Sequence, residues 1–318
     1  MDNDWDRSEP QVNITFEDMG IPTTRRLHFS IIGETRSCSE IGLTDRVYTS
    51  LVLLSVAAAA IPTVCQLAMS GAHSDDYTLG LVLLINEVFS VWYILEGVLK
   101  ERSPEIAVLT LSVALNMAYV GVSYTSGHRS SFTLARLTVT AVFCPVLVIP
   151  GIGIICTYYV SRRLIFRTVG ANASLQAFYL TLLLFQDLLK LDLQLGVSSI
   201  LFAITLTRPI ATQDITLLSV GVTFAAAWSA LGLWAMPRES KVGAYLFFIF
   251  CPAQIAYLTY RLLLHKAAIT SGNVEGTSPE VICFVAALTV HIGVILTGIL
   301  VFARFGHGLK DKCKILSS

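Results

Sequence analysis

Two ionisable residues stand near the middle of long apolar stretches, where a charge is costly. Glu87 lies within residues 84–89 and His291 within residues 288–293, and both segments are otherwise mostly apolar. A charged side chain at the centre of a bilayer costs roughly 3 kcal/mol or more, so it usually faces a partner or a water-filled cavity. One interpretation is that both residues carry protons or bind a cation or polar substrate. The alternative is that Glu87 is protonated or hydrogen-bonded and that His291 is a neutral donor between helices.

A second group of charged residues, Asp187, Lys190 and Asp192, lies in the apolar stretch 176–206. At 100° per residue, Asp187, Lys190 and Gln194 share one face of a helix, whereas Asp192 points about 140° away from Asp187 and needs a partner elsewhere. The stretch is too long for one upright span, which leaves two depths open. If its last twenty residues cross the bilayer, Asp187 and Lys190 lie at the cytoplasmic boundary; if the crossing is shifted toward the amino end, all three are deep.

Membrane-spanning helices must position these residues. Of the 318 residues, 54% are hydrophobic and only 14% are charged, and the mean hydropathy is +0.68. A hydrocarbon core of about 30 Å is crossed by about 20 helical residues. The sequence therefore predicts an all-α, polytopic membrane helix bundle of about eight transmembrane helices. The predicted spans are approximately 47–70, 77–99, 105–125, 136–161, 176–206, 214–236, 241–264 and 279–304.

The distribution of basic residues predicts that both termini are cytoplasmic. If the amino terminus is inside, sixteen of the 22 lysines and arginines fall in cytoplasmic segments, as the positive-inside rule requires. The predicted organisation is a largely disordered cytoplasmic N-terminal tail over 1–46, an eight-helix transmembrane domain over 47–304 and a short basic cytoplasmic tail over 305–318. The sequence does not distinguish the plasma membrane from an internal membrane.

Several other classes of protein are disfavoured. A formal net charge of zero and the lack of a long basic run argue against nucleic-acid binding. The sequence has no zinc-site spacing, Gly-x-Ser-x-Gly elbow or phosphate-binding loop, so we expect no enzyme activity, metal or cofactor. Among the seven cysteines, Cys313 lies in a basic tail segment and is a candidate lipidation site.

Prolines and small residues predict features of two helices. Pro145 and Pro150 should kink the fourth helix and leave backbone carbonyls without their helical partners. Gly221, Ala225 and Ser229 form a small-residue ridge on the sixth helix that favours close helix packing. No internal repeat is evident, so a duplicated transporter architecture is not predicted.

The stretch Tyr179–Gln194, YLTLLLFQDLLKLDLQ, resembles a segment of uncharacterised eukaryotic multi-span membrane proteins grouped under a domain of unknown function. The resemblance covers about thirty residues around Asp187–Asp192. It implies the membrane class and gives these charged residues added interest. It implies no activity.

Three functions are compatible with these features. The leading hypothesis is a transporter or channel-like protein for a small solute, ion or lipid, in which the intramembrane ionisable residues line one hydrated cavity. The second is a membrane receptor or sensor that signals through the N-terminal tail, whose nine acidic and five basic residues suggest a partner-binding segment. The third is a structural or assembly subunit of a membrane complex. Membrane lipids are the expected partners, with a small molecule or ion as substrate under the first hypothesis; the oligomeric state is left open.

Overall fold

The computed structural model describes the backbone of residues 28–30, 33–35, 41–69, 75–126, 131–161, 173–205, 212–270 and 279–306. Most of the predicted N-terminal tail and nearly all of the C-terminal tail, including Cys313, lie outside these residues. In the described part of the N-terminal tail, β1 (His28–Ser30) and β2 (Gly33–Thr35) pair as an antiparallel hairpin. The cytoplasmic location of both tails stays a prediction.

Eight α-helices form the body of the described chain and confirm the predicted all-α bundle. Each overlaps one predicted span, and the ends differ by a few residues. Six of them, α1–α4, α7 and α8, are long and apolar enough to cross a membrane. The bounds are α1 Leu43–Met69, α2 Asp75–Leu99, α3 Ser103–Thr125, α4 Ser131–Ser161, α5 Ala173–Thr205, α6 Thr212–Ala235, α7 Lys241–Thr270 and α8 Pro279–Phe302.

The eight helices form two four-helix units with the same order of neighbours. In the first unit, α1–α4, each helix packs on the next and α1 closes the ring against α4. In the second unit, α5–α8, each helix again packs on the next and α5 closes the ring against α8. The units meet where α5 contacts α2 and α3 and where α8 contacts α3. Because α5 lies between the units, its polar side chains must find their partners there.

The α2–α3 and α6–α7 turns share one backbone geometry. Glu101 in the first turn and Glu239 in the second both adopt a left-handed conformation, with φ of 45° and 50°. In each turn the next residue, Arg102 or Ser240, donates its N–H at 3.0 Å to the carbonyl five residues earlier. A left-handed conformation costs a non-glycine residue about 1–2 kcal/mol, so its recurrence at both turns is a specific feature of the fold.

The fourth helix is continuous although it contains two prolines. Pro145 and Pro150 both lie inside α4, which runs without interruption from Ser131 to Ser161. Each proline lacks the N–H that would pair with the carbonyl four residues earlier, so the Ala141 and Val146 carbonyls lose that helical partner. The kink expected at these positions stays a prediction.

Small residues allow α6 to approach α5 closely. A β-carbon added to Gly221 would lie 3.1 Å from the Cδ1 atom of Ile200 on α5. Ala225 and Ser229, one and two turns further along α6, are both buried. These contacts fit the role of the ridge as a packing face.

Alanine substitution at two glycines separates close packing from helix propensity. A β-carbon on Gly232 of α6 would lie 2.7 Å from side-chain carbons of Leu189 and Phe247, whereas one on Gly153 of α4 would meet nothing within 4 Å. Alanine favours a helix over glycine by about 1 kcal/mol at either site. We expect Gly153→Ala to keep or raise the unfolding temperature and Gly232→Ala to lower it, because overpacking costs about 1–3 kcal/mol. Thermal unfolding of the purified protein, followed by tryptophan fluorescence, measures both; equal midpoints would contradict the close approach of α6.

Candidate functional site

α5 carries polar side chains on two faces that look in different directions. Lys190 and Gln194 contact α2 and α3 of the first unit. Asp192 contacts α7 and α8 of its own unit. This division follows the helical spacing predicted from the sequence, and the expectation that Asp192 needs a partner on another helix is confirmed by these contacts.

Six charged side chains form an ion cluster between the units. Lys190 is at its centre. Its Nζ atom donates to Glu96 Oε2 at 2.8 Å, to Glu105 Oε1 at 2.9 Å and to Asp187 Oδ1 at 3.3 Å. An ammonium group has three donors, and here each one meets a different carboxylate. The ion cluster consists of three acids and three bases: Glu96, Glu105, Asp187, Lys100, Arg102 and Lys190.

Lys100 and Arg102 complete the ion cluster from the α2–α3 turn. Lys100 Nζ donates to Glu96 Oε1 at 2.6 Å, and Arg102 Nη1 lies 3.3 Å from the same oxygen and 3.9 Å from Asp187 Oδ1. Burial lowers the pKa of Lys100, and the neighbouring Arg102 lowers it further. Burial opposes the charge on Arg102 as well, but Asp187 and other nearby acids raise the pKa of that guanidinium above its usual value. When all six groups are ionised, the ion cluster has no net charge.

The ion cluster lies level with the α2–α3 turn. Glu96 is three residues before the end of α2, and Glu105 is two residues after the start of α3. Trp92, whose side chain is 54% exposed, donates its indole N–H to Glu96 Oε2 at 2.8 Å, as an aromatic residue at a membrane boundary does. Since a turn between two spans lies at a membrane surface, Asp187 and Lys190 fit the boundary placement, the shallower of the two that the sequence leaves open.

Uncharged hydrogen bonds join the units one helical turn deeper. Gln194 Nε2 donates to Asn86 Oδ1 at 2.9 Å and to Ser112 Oγ at 2.8 Å, and Gln194 Oε1 accepts from Tyr93 Oη at 2.9 Å. Asn86 Nδ2 donates onward to Asn116 Oδ1 at 2.7 Å. We call these five residues the amide network. Its members lie on α2, α3 and α5, so it fixes α5 against the first unit without any charge.

His291 and Asp192 form a buried pair inside the second unit. His291 Nδ1 lies 3.0 Å from Asp192 Oδ2, and His291 Nε2 lies 3.2 Å from the Cys251 carbonyl oxygen. Because a carbonyl only accepts, Nε2 carries a hydrogen. The Nδ1–Oδ2 contact then holds one shared proton, either on the imidazole facing a carboxylate or on a carboxylic acid facing a neutral imidazole. In both states the pair has no net charge. Gln254 Nε2 donates to Asp192 Oδ1 at 3.2 Å, and the Trp228 ring lies 5.1 Å from the imidazole.

Glu87 lies apart from both groups, in the middle of the first unit. It lines a cavity of about 30 Å³, named here the first-unit cavity, to which all four helices α1–α4 contribute. Among the described residues it has no hydrogen-bond or ion-pair partner. The space is sufficient for one or two water-sized occupants. The other polar side chains of the lining are Ser55, Ser90, Asn116, Thr140 and Cys144.

A larger pocket opens between α5, α6 and α7 of the second unit. This second-unit pocket has a volume of about 280 Å³ and is lined mostly by apolar side chains. Val220 and Phe224 at its edge are 62% and 40% exposed, which places its mouth on the lipid-facing surface. Gly221 and Ala225 of the α6 ridge also line it, and Gln254 gives it a polar end.

The candidate site residues therefore lie in three places. Glu87 is in the first-unit cavity, Asp187 and Lys190 are in the ion cluster, and Asp192 and His291 form the buried pair. The hypothesis that they line one hydrated cavity is wrong. Asp187 and Lys190 lie on one side of α5 and Asp192 on the other, so the backbone of α5 separates them. Glu87 lies elsewhere, in the interior of α1–α4.

Sequence reasoning missed two acids of the ion cluster. The i, i+4 spacing of Glu96 and Lys100 predicts only an exposed pair, yet Glu96 also accepts from Lys190. Glu105 lies in the first turn of α3, where an acidic residue is common and its position alone predicts no buried contact. The usable signal was a lysine within an apolar helix, since a buried cation requires carboxylates on its neighbours. Glu96 and Glu105, which flank the α2–α3 turn, are suitable candidates for these carboxylates.

These features define a polytopic membrane protein made of two four-helix units joined by buried polar contacts. The chain belongs to the family described as Domain of unknown function (DUF7789), whose model matches residues 32–162 and 169–302. The match agrees with the resemblance seen at Tyr179–Gln194 and extends it to most of the chain. No curated protein and no solved structure matches the chain.

The two matched segments coincide with the two four-helix units, which indicates an internal repeat. The segments start 137 residues apart and end 140 residues apart. The left-handed residues Glu101 and Glu239 are 138 positions apart, and so are the first residues of α3 and α7, Ser103 and Lys241. A repeat that is not evident in the sequence is therefore present in the fold. The repeat is visible in helix order and turn geometry, whereas the side chains have diverged.

The same spacing of 138 residues relates the two cavities. Glu87 corresponds to Ala225, and Asn116 corresponds to Gln254. The first member of each pair lines the first-unit cavity, and the second member lines the second-unit pocket. The two cavities thus share two equivalent positions. Both linings are mainly apolar, but only the first contains a carboxyl group.

Replacing Lys190 by methionine tests whether the ion cluster holds the units together. The change leaves the cluster with an excess negative charge beside the fully buried Glu105 and Asp187. Removing one partner of a buried ion pair costs about 3–5 kcal/mol, so we expect a large drop in the thermal unfolding midpoint. Lys241→Met, which removes an exposed lysine, is the matched control and should have little effect.

A second substitution separates charge balance from side-chain packing. Adding Glu105→Gln to Lys190→Met restores neutrality and should recover part of the lost stability, as measured by thermal unfolding of all variants in one detergent. Equal thermal unfolding midpoints for Lys190→Met and Lys241→Met would show that the ion cluster does not stabilise the contact between the two units.

Proposed function

We propose that this protein binds a lipid-like molecule from within the bilayer, in the second-unit pocket, and acts as a membrane sensor of it. The observation that carries the proposal is the pocket itself, which has a volume of about 280 Å³, a mainly apolar lining and an edge on the lipid-facing surface. Its volume is close to the lower end of the roughly 300–1,000 Å³ found for small-molecule sites. A ligand that enters from lipid must be apolar over most of its surface.

The polar end of the pocket favours a ligand with a hydroxyl group. Gln254 Nε2 donates to both oxygens of Asp192, at 3.2 and 3.3 Å. These bonds fix the orientation of the amide and leave its Oε1 atom to accept a hydrogen bond. A hydroxyl group can donate that bond. Suitable ligands are therefore a sterol, a diacylglycerol or a long-chain alcohol.

Ligand binding has a short route to the joint between the units. Gln254 contacts Asp192, and Asp192 contacts His291. Asp192 lies on α5, whose other face carries the ion cluster and the amide network. A ligand that uses Gln254 changes the surroundings of the buried pair, and a different position of α5 would alter its contacts with α2 and α3. This connection supports a sensor.

Transport is the second candidate, and the internal repeat favours it. Many secondary transporters consist of two repeats with the substrate site near the repeat interface. If all eight helices cross the membrane, the even number in each unit gives both units the same orientation across it. Passage of the ligand between the two leaflets of proteoliposomes would support transport over sensing.

Two tryptophan substitutions on α7 test the second-unit pocket. Ala253 and Ala256 are both exposed, but only Ala253 lines the pocket. In nanodiscs, we expect Ala253→Trp to abolish pocket labelling by a photoactivatable sterol and a photoactivatable diacylglycerol, because the indole fills the site. Ala256→Trp should label like the parent protein. Mass spectrometry of the labelled peptides is the measurement, and equal labelling of the two variants would contradict the proposed site.

A further inference from the structure

Glu87 has no role in the proposed lipid site, yet it lies inside the first unit without a described partner. The first-unit cavity around it measures about 30 Å³ and is lined by thirteen residues. Glu87 is the only acid in this lining, and no lysine, arginine or histidine belongs to it. Ser90 and Asn116, which also line it, are only 2% and 6% exposed. The cavity thus lies between the four helices, and its mainly apolar lining includes one carboxyl group and several other polar side chains.

Three hydroxyl groups of the lining present oxygen lone pairs to this cavity. Ser55 donates its hydroxyl hydrogen to the carbonyl of Val52 at 2.8 Å, and Ser90 donates to the carbonyl of Asn86 at 2.9 Å. Thr140 donates likewise to the carbonyl four residues earlier, at 2.8 Å. A hydroxyl has one hydrogen and two lone pairs. Since each hydrogen is used within its own helix, these hydroxyls can act toward the cavity only as acceptors.

The charge of Glu87 requires compensation inside the cavity. Glu87 is half-buried in a helix long and apolar enough to cross a membrane. A carboxylate without a partner there is unstable, so it must be protonated or face a positive charge. The nearby base Arg136, one turn before Thr140 on α4, does not line the cavity. A β-carbon on Gly80, seven residues before Glu87, would lie 3.1 Å from its guanidinium, so that group reaches toward another level of α2.

We propose that the first-unit cavity is a binding site for a monovalent cation of the Na⁺ type. Glu87 supplies the charge, and the hydroxyl oxygens of Ser55, Ser90 and Thr140 supply neutral ligands. Hard cations prefer oxygen ligands, and one carboxylate balances one positive charge, whereas divalent sites usually contain several carboxylates. This cation site lies in the first unit, whereas the proposed lipid site lies in the second. The two proposals can therefore be tested independently.

Direct binding of radiolabelled Na⁺ tests the site. The probe is added to the purified full chain in detergent, with choline chloride holding the ionic strength constant. We expect saturable binding in the parent protein and none in Glu87→Gln. Thr140→Val should raise the half-saturating Na⁺ concentration about fivefold, the effect of losing roughly 1 kcal/mol from one neutral ligand.

Thr138→Val is the matched control on the same helix. Thr138 also bonds its hydroxyl to the carbonyl four residues earlier, at 2.9 Å, but it is exposed and lies outside the cavity lining. Its substitution should leave Na⁺ binding unchanged. If Glu87→Gln does not fold, a selective effect of Thr140→Val still supports the site. Absence of saturable Na⁺ binding, or equal binding in Thr140→Val and Thr138→Val, overturns the proposal.

Discussion

A lysine held among three carboxylates, at the point where two helix units meet, is the contact on which the rest of this structure depends. Lys190, Glu105 and Asp187 cannot face lipid, because an unpaired charge in a medium of low dielectric constant is too costly. The helix that carries Lys190 must therefore lie between its partners. That requirement places α5 against α2 and α3, while its opposite face closes the second unit.

The polar contacts along α5 become less charged with depth, in keeping with the rising cost of charge toward the middle of a bilayer. The ion cluster lies level with the α2–α3 turn, and the amide network around Gln194 follows one helical turn deeper. Ser198 and Ser199 lie beyond it and donate to carbonyl oxygens of α5 at 2.9 and 2.6 Å, and Ser198 Oγ also lies 3.4 Å from Asn86 Oδ1. The exception is Asp192, which remains tolerable because His291 shares its proton and Gln254 donates to it.

Single-helix properties could be predicted from the sequence, whereas properties of helix pairs could not. Hydropathy located all eight helices, and helical spacing showed that Asp192 faces away from Lys190. The partners Glu105, Asn86 and Gln254 escaped prediction because spacing along one helix says nothing about which helices are adjacent. The repeat was hidden because packing preserves helix order and turn shape, while side chains at equivalent positions, such as Glu87 and Ala225, differ in chemistry.

The two units do not dock through equivalent faces. α2 and α3 of the first unit meet α5 and α8 of the second, and the counterparts of α5 and α8 are α1 and α4. A symmetric joint would give every residue and its counterpart the same surroundings. In this head-to-tail arrangement, a residue and its counterpart in the other unit have different neighbours. A substitution in one unit therefore does not require the same substitution in the other. One chain therefore holds two unlike interiors on one duplicated scaffold: a small cavity that contains a carboxyl group, and a larger pocket with an almost wholly apolar lining.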